Sequence, residues 1–143
     1  MATMERIVVG GDHTPSATSA LRWAVQEAAV TGAAVVVVHA FDRTDRADLL
    51  LEKDLTRARR KARYRTQSWV VEVLSDLHVE VPVIVSTPDG TVEDTLAEAA
   101  QHARMVVVGA AEGRRYRDLA TALAARCACP VITVTGDRVA LPG

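Results

Sequence analysis

The sequence predicts a doubly wound α/β domain, a parallel sheet with helices on both faces. Three observations predict it: short β-branched runs that are apolar at every step, helical segments between them with identifiable start and stop residues, and regular alternation of the two along the chain. Ile7-Val8-Val9 ends in Gly10-Gly11 and reads as a buried strand opening onto a turn. Thr14-Pro15-Ser16 supplies a cap and a helix-start proline, and Leu21, Val25, Ala28 and Ala29 recur at helical spacing until Gly32. Ala33 to His39 contains four consecutive valines, the pattern of a strand covered on both faces.

Phe41 to Asp48 is polar and aperiodic, and a long helix is expected from about Leu49 to Leu77. Val79 to Val85 alternates before turning apolar, and Pro82 suits a strand near a sheet edge. Pro88-Asp89-Gly90-Thr91 is a turn with a cap residue, followed by a short helix carrying Val92, Leu96 and Ala99. Met105 to Gly109 is the next strand, Tyr116 to Arg126 the last helix and Pro130 to Thr135 the closing strand. Five strands and four helices alternate without repeat or linker, so residues 1–143 are read as one domain.

Composition excludes several function classes. The apolar residues, 49% of the chain, occur in runs well short of a membrane span, and the first residues do not resemble a secretory leader, so a cytoplasmic location is expected. A net charge of -1 gives no global field toward nucleic acid or anionic membrane, and neither partner is expected. Cys127 and Cys129 form a C-x-C pair without redox spacing or a second pair to complete a zinc site; small thiols in a reducing compartment are expected, with no metal. The basic run Arg57, Arg59, Arg60, Lys61, Arg63 and Arg65 spreads around its helix; a solvated face is the default reading and anion binding the alternative.

In open parallel sheets ligands bind beyond the carboxyl ends of the strands. Three loops lie there. In Gly10 to Pro15, Asp12 can accept hydrogen bonds from a base or ribose, or simply close a turn. In His39-Ala40-Phe41-Asp42, backbone groups can edge a planar ring. Gly109 to Tyr116 places Gly109 and Gly113 before a helix start, where phosphates bind in other folds, but it matches no standard phosphate-loop pattern. No catalytic triad, nucleophile elbow or carboxylate pair is present, and His13, His39, His78 and His102 are scattered, so no enzymatic activity is expected.

These segments resemble the universal stress protein family. Val9-Gly10-Gly11-Asp12-His13-Thr14-Pro15 is similar to its V-G-x-D-G-S-P opening, with Ala20-Leu21-Arg22-Trp23-Ala24 continuing in its idiom. His39-Ala40 matches its H-V strand ending, and Gly90 to Leu96 its G-x-P-x-x-x-L turn without the proline. Val106 to Gly109 and Cys129 to Val134 match its V-V-G and C-P-V-x-V-V pieces. The resemblance implies an adenine nucleotide alpha hydrolase-like sheet of order 3-2-1-4-5, and adenine contact through Asp12 and the backbone of Ala40. ATP-binding members carry G-x2-G-x9-G-[ST] after the fourth strand. Here Gly109 fills the first position, Glu112 replaces the second glycine, and Arg117-Asp118 stand where glycine and Ser/Thr belong, in a shortened loop.

The expected function is therefore a stress-response module acting by dimerisation and partner contact, without tight ATP binding. The alternative keeps ATP or AMP in the cleft as a switch, with Asp12, Ala40, Gly109 and Gly113 as the residual site and Arg114 and Arg115 replacing lost phosphate donors. The homodimer is expected along Val131 to Thr135, placed at a sheet edge by the doubly wound order. Trp23 is expected to pack the first helix onto the sheet beside Ala20 and Ala24.

Overall fold

The computed structural model describes residues 4–41, 55–110, 114–136 and 138–140, with the backbone alone for 114–118 and 138. The strands are β1 (Arg6–Gly10), β2 (Ala34–Val38), β3 (Val83–Ser86), β4 (Met105–Gly109), β5 (Val131–Thr135) and β6 (Arg138–Ala140). The helices are α1 (Pro15–Thr31), α2 (Leu55–Leu74), α3 (Val92–Ala100) and α4 (Arg114–Arg126). The five expected strands are parallel and lie in the order β3-β2-β1-β4-β5. β3 sits at one edge and starts just after Pro82, whose carbonyl accepts from Val35 N at 2.9 Å. The part of the long helix expected from Leu49 to Asp54 lies outside the described residues.

β6 corrects the other edge. It pairs antiparallel with β5, matching Thr133 with Ala140, Val134 with Val139 and Thr135 with Arg138. Gly136, at φ +56°, makes the turn, and the Thr133 hydroxyl donates to Ala140 O at 3.1 Å. β5 is thus an interior strand of the sheet, and from Thr133 to Thr135 the edge expected to pair in a dimer is taken by β6. Val134 is buried, so a lysine at that position would disrupt the core instead of separating subunits.

Alternation along each strand divides the core between two faces. Ile7, Val9, Val35, Val37, Val85, Val107 and Val134 meet α1 and α2, while Val8, Val38, Val106, Val108 and Val131 meet α3 and α4. α1 starts where Thr14 Oγ1 accepts from Ala17 N at 3.2 Å and stops at Gly32, left-handed at φ +76°. Trp23 packs against the first core half-buried, and Trp69 on α2, not singled out in the sequence, does the same. Arg22 straps α1 to α2 by bonding Val73 O at 3.0 Å and Asp76 at 2.8 and 3.1 Å.

On the opposite face Arg126 reaches from α4 to Asp94 at 2.8 Å and Glu93 at 3.1 Å. The Arg126 bond, followed by that of Thr91, holds the Asp94 carboxyl below its ordinary value. A depressed folded-state pKa gives stability that is present above the unfolded value, about 3.9, and is lost as pH falls through the folded one. Arg126→Gln should therefore flatten the loss of stability below about pH 4, measured by urea midpoints from neutral to acid pH. Cys127 and Cys129 are half-buried free thiols, and burial pushes both upward from their usual range.

Candidate functional site: a cleft above β1 and β2

The chain moves outward from β1 through β2 to β3 and then returns to β4 on the other side of β1. The switch lies between β1 and β4, where doubly wound sheets leave a crevice. Gly109 ends β4 there. A Cβ on it would lie 2.4 Å from the carbonyl carbon and oxygen of Ser16 and 2.7 Å from Ala17 N, so the first turn of α1 rests directly on the glycine backbone. Gly109 therefore has a packing role at the crevice. Gly113 and Glu112 lie outside the described residues, as do the side chains of Arg114 and Arg115.

The β1–β2 ladder opens one residue beyond the strands. Gly11 N donates to Val38 O at 3.0 Å, as the parallel register requires. Continued, that register would bring Ala40 N to Gly11 O. Instead His39 Nδ1 lies 2.6 Å from Gly11 O, in the place where the continued register would put Ala40 N. The neighbouring positions are fixed on the β3 side, because His39 N donates to Ser86 O and Phe41 N to Pro88 O. Ala40 is itself buried, at 7% exposure, where backbone polar groups normally have partners.

Asp12 stands beside the end of this ladder, exposed, and its Oδ1 accepts from Thr14 N at 3.1 Å and from the Thr14 hydroxyl at 2.6 Å. That closes the turn into α1. His13 follows at φ +65°, a left-handed backbone that favours glycine and is among the less costly for histidine. This is the position where the V-G-x-D-G-S-P opening has its second glycine. The His13 ring stacks on His39 with centroids 5.0 Å apart, tilts against Trp69 at 5.3 Å, and places Nε2 2.8 Å from Thr66 Oγ1. Trp69 Nε1 in turn donates to Thr18 Oγ1 at 3.2 Å.

Thus two histidines read as scattered converge, while His78 and His102 are exposed elsewhere. The pair seals the α2 side of the cleft. Its members lie 26 residues apart on different strands' loops, and nothing in their local sequence signals the meeting. A surface groove of about 650 Å³ continues from His13 between α1 and α2, past Trp69 to the Arg22–Asp76 pair. Among the described residues no three His, Cys, Asp or Glu side chains gather as metal ligands, and no helix is long and apolar enough to cross a membrane.

The fold and cleft define a class: a doubly wound domain with a crevice at the β1/β4 switch, beside which His39 caps the end of the β1–β2 ladder. The universal stress protein family model matches residues 3–135, and the chain belongs to that family. It is 32% identical over 134 residues to a universal stress protein of Mycobacterium tuberculosis, covering 90% of this chain and 47% of that protein. The chain thus spans about half the length of the curated relatives it matches. A universal stress protein solved with cAMP superposes at a TM-score of 0.62 and 20% identity, covering 95% of this chain and 100% of the other. The Archaeoglobus fulgidus universal stress protein in complex with dAMP gives 0.62 and 24%, covering 93% and 98%. These likenesses establish the shared fold.

Proposed function

We propose that this chain is a non-catalytic, cytoplasmic stress-response module of one domain. It holds a purine ring above β1 and β2, has no tight site for a triphosphate, and acts through contact with a protein partner. The observation that carries the cleft reading is the end of the β1–β2 ladder, where His39 Nδ1 meets Gly11 O in place of a backbone partner and the Ala40 N–H and C=O are proposed to meet the ligand. A donor and an acceptor side by side on a rigid buried backbone match the edge of an adenine ring. Asp12, exposed at the rim, suits a ribose hydroxyl. The cAMP and dAMP of the similar structures are monophosphates, which agrees with a cleft that keeps its ring end while the glycine loop is altered at Glu112 and Asp118. β6 occupies Thr133 to Thr135, so self-association uses a surface other than that stretch of β5.

Isothermal titration with AMP and with Mg-ATP tests this reading. AMP should bind saturably, Mg-ATP no more tightly than AMP, and Asp12→Ala should weaken AMP by about tenfold or more, the worth of a hydrogen bond to a charged group. Saturable Mg-ATP binding at low micromolar concentration, lost in Asp12→Ala, would replace it with a nucleotide-triphosphate switch.

A further inference from the structure

Five cations of the basic run on α2, Arg57, Arg60, Lys61, Arg63 and Arg65, are exposed, whereas the sixth, Arg59, turns inward. Its guanidinium lies 5.3 Å from the centre of the Phe41 ring and pairs with Asp89. Its Nε is buried without a hydrogen-bond partner among the described residues, a cost that an exposed rotamer would avoid. The ring and the carboxylate together therefore hold Arg59 in this seat. Phe41 and Asp89 face each other across an isolated parallel bridge just beyond β2 and β3. One side chain thus ties α2 to the ends of two strands.

The same helix holds the residue on the other side of Ala40. Ala58, Ala62 and Thr66 form a buried i, i+4, i+8 stripe on α2. Ala58 and Ala62 pack on Phe41, while Thr66 Oγ1 lies 2.8 Å from His13 Nε2 and the His13 ring stacks on His39. Ala40 is therefore flanked by two residues that α2 holds, Phe41 directly and His39 through His13. We infer that Arg59 is a positioning residue: it fixes the backbone edge at Ala40 and so makes the cleft select adenine over hypoxanthine. The inference rests on the proposed reading that the Ala40 N–H and C=O meet a purine. Adenine offers an acceptor at N1 and a donor at N6, while hypoxanthine offers a donor at N1 and an acceptor at O6. A backbone N–H and C=O held in place fit the first ring and oppose the second, and the discrimination depends on how firmly they are held. Both contacts of Arg59, over a ring and against a carboxylate, require a positive charge.

Titration calorimetry of the full chain with AMP and with IMP, and amide hydrogen exchange of the ligand-free chain, test the inference. The wild type should prefer AMP over IMP by about tenfold or more. Arg59→Met should bring that ratio below about threefold by weakening AMP more than IMP, and Arg59→Lys, which keeps the charge, should retain most of it. Arg63→Met, on the exposed side of the same helix, should leave the ratio as it is. Without ligand, Arg59→Met should speed exchange of the Phe41 amide, which donates to Pro88 O at 2.8 Å, by about tenfold and leave the amides of β1 unchanged. Unchanged Phe41 exchange, or equal acceleration in β1, would overturn the positioning role, and an unchanged AMP-to-IMP ratio would overturn the role in selection. A wild type that binds no AMP would sink the cleft reading together with the selection, and the Phe41 amide would still decide whether Arg59 sets this edge.

Discussion

Gly109→Ala should cost about 3 kcal/mol or more, enough to remove much of the stability of a domain this size. The reason is that the added methyl has nowhere to go. It would meet the carbonyl carbon and oxygen of Ser16 at 2.4 Å and Ala17 N at 2.7 Å, and these obstacles are backbone, not side chains that can change rotamer. Relief would require α1 to lift from the sheet, which opens the core beneath Leu21 and Val25. Gly32→Ala provides the contrast. Gly32 has a left-handed φ of +76° but no neighbour within 4 Å of a Cβ, so only backbone strain of about 1 kcal/mol is added. Urea unfolding of both variants measures the difference. A Gly109→Ala midpoint as high as that of Gly32→Ala would mean that α1 can move away from β4 freely.

Phe41→Ala should be the largest of the ordinary core losses, about 3 to 5 kcal/mol. Phe41 is fully buried against Ala58 and Ala62 of α2, small residues that cannot expand into the space it leaves. Its ring also carries the Arg59 guanidinium, and Arg59 Nε is already buried without a hydrogen-bond partner. Truncation would leave that cation beside a void. A drop of roughly 10 °C in the thermal midpoint is expected, with Phe41→Leu losing much less because it keeps most of the volume. Because Phe41 is next to Ala40, the alanine variant should also bind AMP more weakly even at temperatures where it is folded. Unchanged thermal stability would show that the α2 contact with the end of β2 is dispensable.

The strands were legible because their burial is local in its signature. Val35 to Val38 and Val106 to Val108 are apolar at consecutive positions since both faces of the sheet are covered, and no helical stripe has that pattern. The caps at Thr14 and Thr91 and the stop at Gly32 were equally readable, because each acts within four residues. β6 was not. Arg138-Val139-Ala140 is three residues long and mixed in polarity, and only its pairing with β5 makes it a strand. The site divided in the same way. Asp12 and Ala40 were found because they follow strands, but the stacked His13 and His39, and the withdrawal of Arg59 from the basic face, depend on contacts between segments remote in sequence.

The place of β1 at the middle of the sheet bears on how the chain reaches this state. β1 must pair with β2 on one side and with β4 on the other, and β4 lies about 100 residues later in the chain, so one edge of β1 stays open until most of the chain is available. At ribosomal speeds of roughly 5 to 20 residues per second that interval is on the order of 5 to 20 seconds. Throughout it a β1–β2 unit would present Ile7, Val8 and Val9 on an unpaired, wholly apolar edge. The molecule's period of greatest exposure to misassembly is thus set by its strand order, and it falls during synthesis, when chaperone capacity matters most to a chain of this topology.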